Sequence, residues 1–383
     1  MRAPHHVSPT TRHAFASTTR PLVVRFGALG DMVLLTVLIR ALALRFCSPV
    51  DVVCSGPWSG PLYAAQPEVS SLHRIRSVRT PYLLSWDQHK LVDTLRRRDP
   101  GPTWYCDLRD KGRRLLEMAG IPEHLIVSAR DHPIERDEHF ADYWLRLASI
   151  QLHAAPTPTP DCAIESAPLP VLSVSADESR NLDQWLQHRS IPASEVILIQ
   201  AGNKRTMRRG RLDRSSNTKY WPAERWSKTL QALRVMHPRA SILLLGVAAE
   251  RRLNEAIIRM AKGPMLFNVA GDMPIGRLLA LQARAAGMIS VDTGPAHAAA
   301  AVGCRMVVLF GKASPANYAP RGAGAVVRCL TGTHDGHPSI LGIGVDAVLE
   351  AWRTIKPGWT GPRLSAACDR TAPSSYPIPA QAT

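Results

Sequence analysis

The sequence predicts an α/β protein built from two Rossmann-like domains that face a central cleft. Segments typical of buried strands alternate with segments typical of helices in both halves of the chain, and this alternation indicates parallel sheets covered by helices. A stretch at 154–172 that carries five prolines separates the halves, as expected of an interdomain linker. The length of 383 residues is sufficient for two domains of ordinary size.

Residues 21–153 are predicted to form the N-terminal domain. Short apolar runs predict four strands, at Leu22–Phe26, Val50–Cys54, Trp104–Leu108 and Leu125–Val127. Longer segments predict three helices, at Met32–Arg45, Leu83–Arg97 and Asp137–Leu152. Residues 1–20 lack an apolar core, so they are predicted to be a disordered tail rather than a secretory signal or an anchor.

Residues 173–356 are predicted to form the C-terminal domain, in which the alternation repeats. The predicted strands are Val196–Gln200, Ser241–Leu245, Met265–Asn268, Met288–Val291 and Met306–Phe310. The predicted helices are Pro222–Met236, Ala249–Met260, Ile275–Arg284, Ala296–Ala301 and, as a closing helix, Val345–Ile355. Residues 357–383 are predicted to be a disordered tail.

The run V-D-T-G-P-A-H at residues 291–297 joins a strand to a helix of small residues. Asp292 and Thr293 supply capping oxygens, Gly294 frees the backbone and Pro295 suits a first helical turn. A helix that begins at the end of a strand presents unpaired N–H groups and the positive end of its dipole, which suits a phosphate. Taken alone, the run is equally typical of an ordinary strand–helix junction.

A second glycine turn follows the first predicted strand. Gly27 and Gly30 allow a tight turn, and Asp31 stands at the start of the next helix, where the dipole favours the charged form that a general base requires. The spacing is G-x-x-G rather than the dinucleotide fingerprint, and the sequence contains no P-loop motif. A plain carboxylate at a helix N-terminus is the alternative explanation for Asp31.

The formal charge of +16 indicates an affinity for polyanions such as nucleic acid, anionic lipid or a phosphorylated glycolipid. The densest basic segment is 204–219, in which a single acid, Asp213, opposes seven cations. Because this segment follows a predicted strand end, its arginines Arg208, Arg209 and Arg211 are hypothesised to grip acceptor phosphates or an anionic membrane.

Three segments, in order along the chain, resemble glycosyltransferase family 9, the heptosyltransferases of the lipopolysaccharide inner core. Residues 25–36 (RFGALGDMVLLT) resemble the opening motif of that family, and residues 292–297 (DTGPAH) resemble its nucleotide-phosphate motif. Residues 219–226 (KYWPAERW) are similar to its lysine-x-tryptophan-proline segment. The resemblance runs from about Pro21 to Cys329 and implies the GT-B fold. Where the family usually has a Thr-Pro pair, this chain has Thr36-Val37.

The resemblance implies an inverting transfer of heptose from ADP-L-glycero-β-D-manno-heptose to the anionic lipid A–Kdo acceptor. Asp31 would then be the base that deprotonates the acceptor hydroxyl, with Gly30 and the three loop arginines on the acceptor side. Lys219 matches the phosphate-binding lysine of the family. The remaining donor-binding residues that the resemblance implies are Gly202, Glu250, Asp292, Thr293, Gly294, Pro295 and His297.

Some of these assignments have alternatives in the sequence. Glu250 matches the glutamate that binds the ribose hydroxyls but equally fits a helix-capping carboxylate. Asp292 would bind the heptose or orient the loop, and His297 could be a satisfied interior histidine. His334 and His337 form an H-x-x-H pair in a glycine-rich loop, interpreted as solvated rather than metal-binding.

The resemblance implies no cofactor and no metal, and the sequence contains no Asp-x-Asp pair that would suggest one. Seven scattered cysteines without a C-x-x-C pair predict reduced thiols. With no apolar stretch of about 18 residues, the chain is predicted to be cytoplasmic. The resemblance and the basic loop imply a peripheral position on the inner face of the inner membrane.

Two other classes of function remain open from the sequence. A GT-B enzyme, either a transferase or an epimerase, could use another nucleotide sugar. A relative without catalytic activity could bind polyanions, and such a protein would bind nucleic acid with strong salt dependence. The chain lacks the clustered aromatic residues of single-strand binders, so no specific nucleic acid partner is expected.

Overall fold

The structure is a computed structural model that describes residues 20–108, 110–152, 169–203, 206–208, 211–212 and 217–355, with only the backbone at 207–208 and 211–212. The chain divides into two compact units. Unit 1 comprises Met1–Ser173 and Ala316–Tyr318, and unit 2 comprises Val174–Pro315 and Ala319–Thr383. The predicted C-terminal tail, nearly all of the N-terminal tail and most of the predicted linker lie outside the described residues.

Unit 1 is built on a five-stranded parallel sheet. Its strands are β1 (Leu22–Arg25), β2 (Val50–Ser55), β3 (Val69–Ile75), β4 (Thr103–Tyr105) and β5 (Ile126–Ser128). Its helices are α1 (Leu29–Leu34), α2 (Thr36–Arg45), α3 (Ser59–Tyr63), α4 (Trp86–Arg96), α5 (Asp110–Met118) and α6 (Phe140–Ser149), with 3-10 turns at Tyr82–Leu84 and Glu123–Leu125.

The strand order in unit 1 is β3-β2-β1-β4-β5, and all neighbouring pairs are parallel. The order reverses direction between β1 and β4, and such switch points form ligand-binding crevices at the carboxyl ends of the strands. The apolar core beside the sheet includes Leu22, Val24, Leu91 and Leu95.

Unit 1 differs from the sequence prediction in four elements, one of which is the five-residue helix α3, which was not predicted. Strand β3 was not predicted, because its sequence VSSLHRI is half-exposed at the edge of the sheet and lacks an apolar run. Helix α5 was not predicted because Gly112 interrupts it; a Cβ there would lie 2.6 Å from the Phe26 ring, so the glycine permits close packing. The predicted helix Met32–Arg45 is divided into two helices at Leu35. The Thr36 hydroxyl donates a hydrogen bond to the Val33 carbonyl at 2.7 Å, and such a side-chain bond competes with the regular hydrogen bonds of a helix.

Unit 2 contains a six-stranded parallel sheet and two short hairpins. The sheet strands are β6 (Val196–Gln200), β9 (Ser241–Leu244), β10 (Leu266–Asn268), β11 (Gly287–Val291), β12 (Met306–Leu309) and β13 (Val327–Leu330). The hairpin strands are β7 (Met207–Arg208), β8 (Arg211–Leu212), β14 (Thr333–His334) and β15 (His337–Pro338).

The helices of unit 2 cover both faces of this sheet. They are α7 (Ala176–His188), α8 (Ala223–Met236), α9 (Arg251–Ala261), α10 (Ile275–Arg284), α11 (Gly294–Ala301) and α13 (Val345–Ile355), with 3-10 turns at Ala248–Glu250 and Ile340–Gly342. The strand order is β10-β9-β6-β11-β12-β13, so the switch point lies between β6 and β11. Separate apolar clusters occupy the two faces of the sheet.

The predicted C-terminal domain, 173–356, includes three residues that pack with unit 1 in the structure. These are Ala316–Tyr318, which lie in the short helix α12 (Pro315–Tyr318). The ring of Tyr318 stacks on that of Phe140 at a centroid distance of 4.9 Å. Asn317 donates a hydrogen bond to the carbonyl of Glu138 at 3.0 Å.

The cysteines depart in one respect from the expectation of reduced thiols. Cys47 is disulfide-bonded, whereas Cys54, Cys106, Cys304 and Cys329 are free. The exposed position of Cys47 leaves it accessible for pairing, which scattered spacing in the sequence did not suggest. Within the described residues, no helix is long and apolar enough to cross a membrane.

Candidate active site

The candidate donor residues in unit 2 follow the carboxyl ends of three neighbouring strands. Gly202 follows β6, Glu250 follows β9, and Asp292 follows β11. Since β9, β6 and β11 lie side by side, residues far apart in sequence meet at one edge, next to the switch point.

Lys219 and Asp292 form an ion pair at this edge. The Lys219 Nζ lies 2.6 Å from the Asp292 Oδ2 and donates to the Asp292 carbonyl at 3.0 Å. The Asp292 side chain is 7% exposed and the Lys219 side chain 35%. An ammonium has three N–H donors; two are directed to Asp292, and no described residue accepts the third.

Helix α11 begins beside this ion pair. Thr293 is its N-cap in extended conformation, and Pro295 stands in the first turn, as the sequence predicts. The predicted capping by a side-chain oxygen is wrong, because no side chain caps the helix and the Thr293 hydroxyl lies 3.3 Å from that of Ser290. The buried side chain of Gln282 donates to the Pro295 carbonyl at 2.9 Å and so fixes the start of the helix. His297 is buried further along α11, in agreement with an interior position.

Glu250 is a buried carboxyl group enclosed by two glycines. It is 3% exposed, and its Oε2 accepts a hydrogen bond from the Val247 amide at 2.8 Å. Burial raises its pKa to about 7, although the Val247 hydrogen bond acts in the opposite direction. A Cβ at Gly202 would lie 2.1 Å from its Oε1, and one at Gly246 would lie 2.7 Å from its Oε2. Both positions therefore require glycine if the carboxyl group is to stay there.

A polar network that the sequence analysis did not identify fixes the ends of the basic loop. Asn217 is buried; its Oδ1 accepts from Asn203 Nδ2 at 3.1 Å and from the Lys219 amide at 3.2 Å. The Thr206 hydroxyl accepts from the Asn203 amide at 2.6 Å. The sequence contained a signal for this network, because Asn203, Thr206 and Asn217 flank the arginine run. Asn and Thr side chains often form hydrogen bonds with the backbone of a loop.

The loop arginines can be placed only in part. Arg208 and Arg211 are paired residues of the β7–β8 hairpin, and nothing is described of their side chains. Arg209 lies outside the described residues. Their predicted contact with an acceptor stays a prediction.

Asp31 lies in α1 at the carboxyl edge of the sheet of unit 1, with Gly30 beside it in the same helix. Its Oδ2 accepts a hydrogen bond from the Ala28 amide at 2.9 Å, so it caps the helix that carries it. Its side chain is 41% exposed. Asp31 therefore caps its helix, as the alternative explanation proposed, and it is also open enough to contact a substrate hydroxyl.

The Arg25 guanidinium lies between two carboxylates, those of Asp31 and Asp107. The Arg25 guanidinium lies 3.9 Å from Asp31 Oδ1 and 3.4 Å from Asp107 Oδ1, and it lies over the Trp144 ring at 5.6 Å from the centroid. Asp107 also accepts from the Phe26 amide at 2.6 Å. Arg25 belongs to the 25–36 motif, but the motif alone indicates no role for it. Asp107 was not predicted from the sequence.

A polar pocket of about 200 Å³ opens at the ends of β4 and β5. Asp107 lines it together with Arg113, Arg130 and Asp110. Arg130 pairs with Asp110 at 2.6 Å. The pocket thus lies against the Arg25–Asp107 pair that leads to Asp31. Both of its arginines are paired with carboxylates, Arg130 with Asp110 and Arg113 with Glu123, so its described lining offers no unpaired cation.

Neither unit shows a metal site in its described part. Among these residues, no group of three or more His, Cys, Asp or Glu side chains is placed to hold a metal ion. His334 and His337 face each other across the β14–β15 hairpin, and both are exposed, as the sequence analysis expected.

The chain is similar to a known protein family over part of its length. Residues 210–337 match the family model of glycosyltransferase family 9 (heptosyltransferase). This range contains Lys219, Glu250 and the 292–297 motif but not Asp31. No curated protein sequence matches the chain.

The alignments with three solved structures of similar fold include nearly the whole of each solved chain. Escherichia coli ADP-heptose lipopolysaccharide heptosyltransferase II is 20% identical, with a TM-score of 0.66 over 88% of this chain and 98% of that one. A family 9 glycosyl transferase from Veillonella parvula is 16% identical, with a TM-score of 0.70 over 88% and 97%. The E. coli heptosyltransferase WaaC, solved with ADP, is 15% identical, with a TM-score of 0.60 over 88% and 99%. These likenesses show the GT-B fold.

Proposed function

We propose, on the premise that this chain is a glycosyltransferase of the family 9, heptosyltransferase-like type, that it transfers heptose from ADP-L-glycero-β-D-manno-heptose to the lipopolysaccharide inner core. The acceptor would be the anionic lipid A–Kdo glycolipid, reached at the cytoplasmic face of the inner membrane. The observation that carries the proposal is the ion-paired Lys219 beside the N-terminus of α11, at the switch point of unit 2.

The donor proposal uses the charges at this edge. The third N–H of Lys219 and the Gly294 amide at the start of α11 would bind the diphosphate of ADP; Pro295 has no N–H, and the Ala296 amide donates to the Thr293 carbonyl. The buried Glu250 carboxyl group would bind the ribose hydroxyls in a largely dry site between two glycines, where a hydrogen bond is stronger than in water. Two of the similar structures, both of E. coli WaaC, were solved with ADP and with ADP-2-deoxy-2-fluoro heptose, which supports a nucleotide sugar as donor for this chain.

The acceptor proposal assigns the base to unit 1. Asp31 would accept the proton of the acceptor hydroxyl as that oxygen forms a bond to the anomeric carbon. The bond from the anomeric carbon to the diphosphate breaks on the opposite face, and its electron pair leaves with ADP, so the configuration inverts. Arg25 would hold Asp31 in position, since its guanidinium joins that carboxylate to Asp107. Gly30 and the loop arginines Arg208, Arg209 and Arg211 are assigned to the acceptor.

We also propose that the transfer needs no metal cofactor. Negative charge grows on the leaving diphosphate, and a fixed ammonium together with a helix N-terminus stabilises it without reorganisation. Transfer by the purified chain should therefore continue at an unchanged rate in excess EDTA. A rate that collapses in EDTA and returns with Mg²⁺ would contradict this part of the proposal.

The test of the proposed function is product analysis. The purified chain is incubated with ADP-heptose and lipid A–Kdo, and mass spectrometry follows the glycolipid; we expect the mass of one heptose to be added. Parallel reactions with UDP- and GDP-sugars determine the donor, and lipopolysaccharide from a deletion strain should lack the same heptose. Product formed only with another nucleotide sugar would replace the donor, and no product with any donor would favour a polyanion-binding relative.

A further inference from the structure

A short segment of unit 1 exposes three large apolar side chains next to one another. Leu83 is 87% exposed, Leu84 is 78% exposed and Trp86 is 76% exposed. They occupy the 3-10 turn Tyr82–Leu84 and the first residue of α4. Elsewhere among the described residues, exposed large apolar side chains are scattered singly, which is ordinary for a protein surface. A contiguous group of this kind indicates an interaction surface.

The segment is held in this conformation by hydrogen bonds. The buried Gln88 side chain donates to the carbonyls of Ser77 and Thr80 at 2.8 and 3.0 Å. The Asp87 carboxylate accepts from the Arg76 amide and from the Gln88 amide. Tyr82 stacks on His89 at 4.0 Å. The leucines are thus presented outward by a fixed turn rather than by a loose loop.

The exposed charged side chains near the apolar group in residues 76–90 are all positive. Arg76, Arg79 and Lys90 are exposed, and the Lys90 ammonium lies 5.4 Å from the centre of the Trp86 ring. Between Ser70 and Leu91 the sequence contains one acid. That acid, Asp87, is turned toward backbone amides. The surface therefore combines apolar tips with uncompensated cations.

We infer that residues 76–90 form a membrane-binding surface that inserts Leu83, Leu84 and Trp86 into the interface of a bilayer of anionic phospholipids. Interfacial binding scales with the apolar area buried plus the attraction of cations to anionic lipid, and the segment carries both. Tryptophan is favoured at this depth because its ring is amphipathic. Charge complementarity favours an anionic bilayer over an apolar protein groove, because burying the exposed cations of the segment in such a groove would cost free energy.

The location of the surface within unit 1 gives it a role. It follows the carboxyl end of β3, and Asp31 follows the same end of β1, two strands away in a parallel sheet. Neighbouring strands are about 4.8 Å apart, so the bilayer would lie beside the edge that carries the base. This role, delivery of a lipid-anchored acceptor to Asp31, rests on the proposed function; the binding itself does not.

Vesicle flotation of the full chain tests the binding. With phosphatidylethanolamine–phosphatidylglycerol vesicles we expect binding that the triple variant Leu83→Ser/Leu84→Ser/Trp86→Ser weakens by about tenfold or more. The matched control is Val235→Ser/Val247→Ser, which removes exposed apolar side chains in unit 2 and should bind normally. Unchanged binding by a folded triple variant would overturn the inference.

Two further measurements separate the contributions. Replacing Arg76, Arg79 and Lys90 with Gln should lower binding by about fivefold for each cation and should flatten its dependence on salt. Brominated lipids should quench the wild type more than Trp86→Phe, a variant that keeps an apolar ring. Equal quenching would mean that Trp86 does not insert.

The remaining outcomes distinguish other occupants from a bilayer. If the triple variant converts a dimer to a monomer in sedimentation velocity and still floats, the surface is an interface between copies and the inference fails. If binding survives the triple variant but is lost when Arg208, Arg209 and Arg211 become Ser, the basic loop is the membrane contact instead. Vesicle binding without any heptose transfer would retain this inference while refuting the proposed function.

Discussion

The two sheet edges that carry the candidate residues hold their charges differently. In unit 2 the charged groups are buried or paired with each other, as with Asp292 and Lys219 at 2.6 Å and with the enclosed Glu250. In unit 1 the carboxylate of interest, Asp31, is 41% exposed and lies 3.9 Å from its arginine.

This difference follows the different tasks that the proposal gives to the edges. A site for a nucleotide benefits from preorganised charges, because their reorganisation then costs nothing when the ligand binds. A base must be open to the hydroxyl of a large acceptor. The family model matches 210–337, which contains the preorganised edge and not the open one.

The largest effect should come from the open edge. Asp31→Asn retains the size and the capping acceptor but cannot take up a proton, so kcat should fall by at least about a hundredfold, with ADP affinity close to wild type. Steady-state transfer kinetics measure the change. The control is Asp93→Asn, an exposed carboxylate on α4. Turnover of a folded Asp31→Asn enzyme within about tenfold of wild type would remove Asp31 as base.

At the buried edge, Glu250 should make the free energy of unfolding depend on pH. Since the pKa of Glu250 is about 7 in the fold against an ordinary value of 4.5, the folded chain binds more protons than the unfolded chain between these values. The stability from this group is therefore fully present below about pH 4.5 and is lost as pH rises through 7, by about 3 kcal/mol in total.

Urea unfolding at pH 5 and pH 8 measures this dependence. Glu250→Gln cannot titrate, so its stability relative to wild type should rise by about 2.5 kcal/mol between the two pH values, since part of the total is already lost at pH 5. Glu255→Gln, an exposed carboxylate on α9, is the control and should track wild type. Parallel pH profiles for wild type and Glu250→Gln would show that the Glu250 carboxyl group is not desolvated.

The ion pair of unit 2 should produce a smaller effect on binding. Lys219→Ala should weaken ADP binding by about 1.5–3 kcal/mol, as expected for a charge-assisted contact, and calorimetry measures it. Because this change also leaves the Asp292 carboxylate without its partner, the double variant Lys219→Ala/Asp292→Asn is needed beside it. Lys228→Ala, exposed on α8, should bind ADP normally. Unchanged ADP affinity in both Lys219 variants would separate the pair from the donor site.

The smallest effect should come from the basic loop. Replacing Arg208, Arg209 and Arg211 with Ser should raise KM for a phosphorylated acceptor severalfold and flatten its salt dependence, while ADP affinity barely moves. The variant Arg252→Ser/Arg259→Ser removes exposed cations from α9 and should change neither. A fall in donor affinity with unaltered acceptor kinetics would assign the loop to the nucleotide.

Much of unit 2 could be predicted from the sequence because its strands are buried apolar runs. Val196–Gln200 is fully buried and was predicted to the residue, and α10 and α13 also match their predicted bounds. Helix α7 was missed although Ser175 and Glu178 form a capping box at its start. That signal was present in the sequence.

The contacts within each site could not be predicted in the same way. Arg25 and Asp107 are 82 residues apart, and they meet only because β1 pairs with β4. Lys219 and Asp292 are 73 residues apart and meet because the Asn217 turn directs the lysine toward the end of β11. Local pattern gives strands and helices, whereas the order of strands in a sheet depends on packing across the whole unit.

The exposure of Asp31 bears on how the enzyme would recover after each turnover. A base that has taken a proton must lose it before the next acceptor arrives, and a side chain open to water can pass that proton directly to solvent or buffer. The same carboxylate also accepts from the Ala28 amide at 2.9 Å, and a neutral carboxyl group is a weaker acceptor than a charged one. Each transfer would therefore loosen the first turn of α1 until the proton departs. Recycling of the base and re-formation of that turn would be a single event, set by exchange with water rather than by a dedicated proton relay.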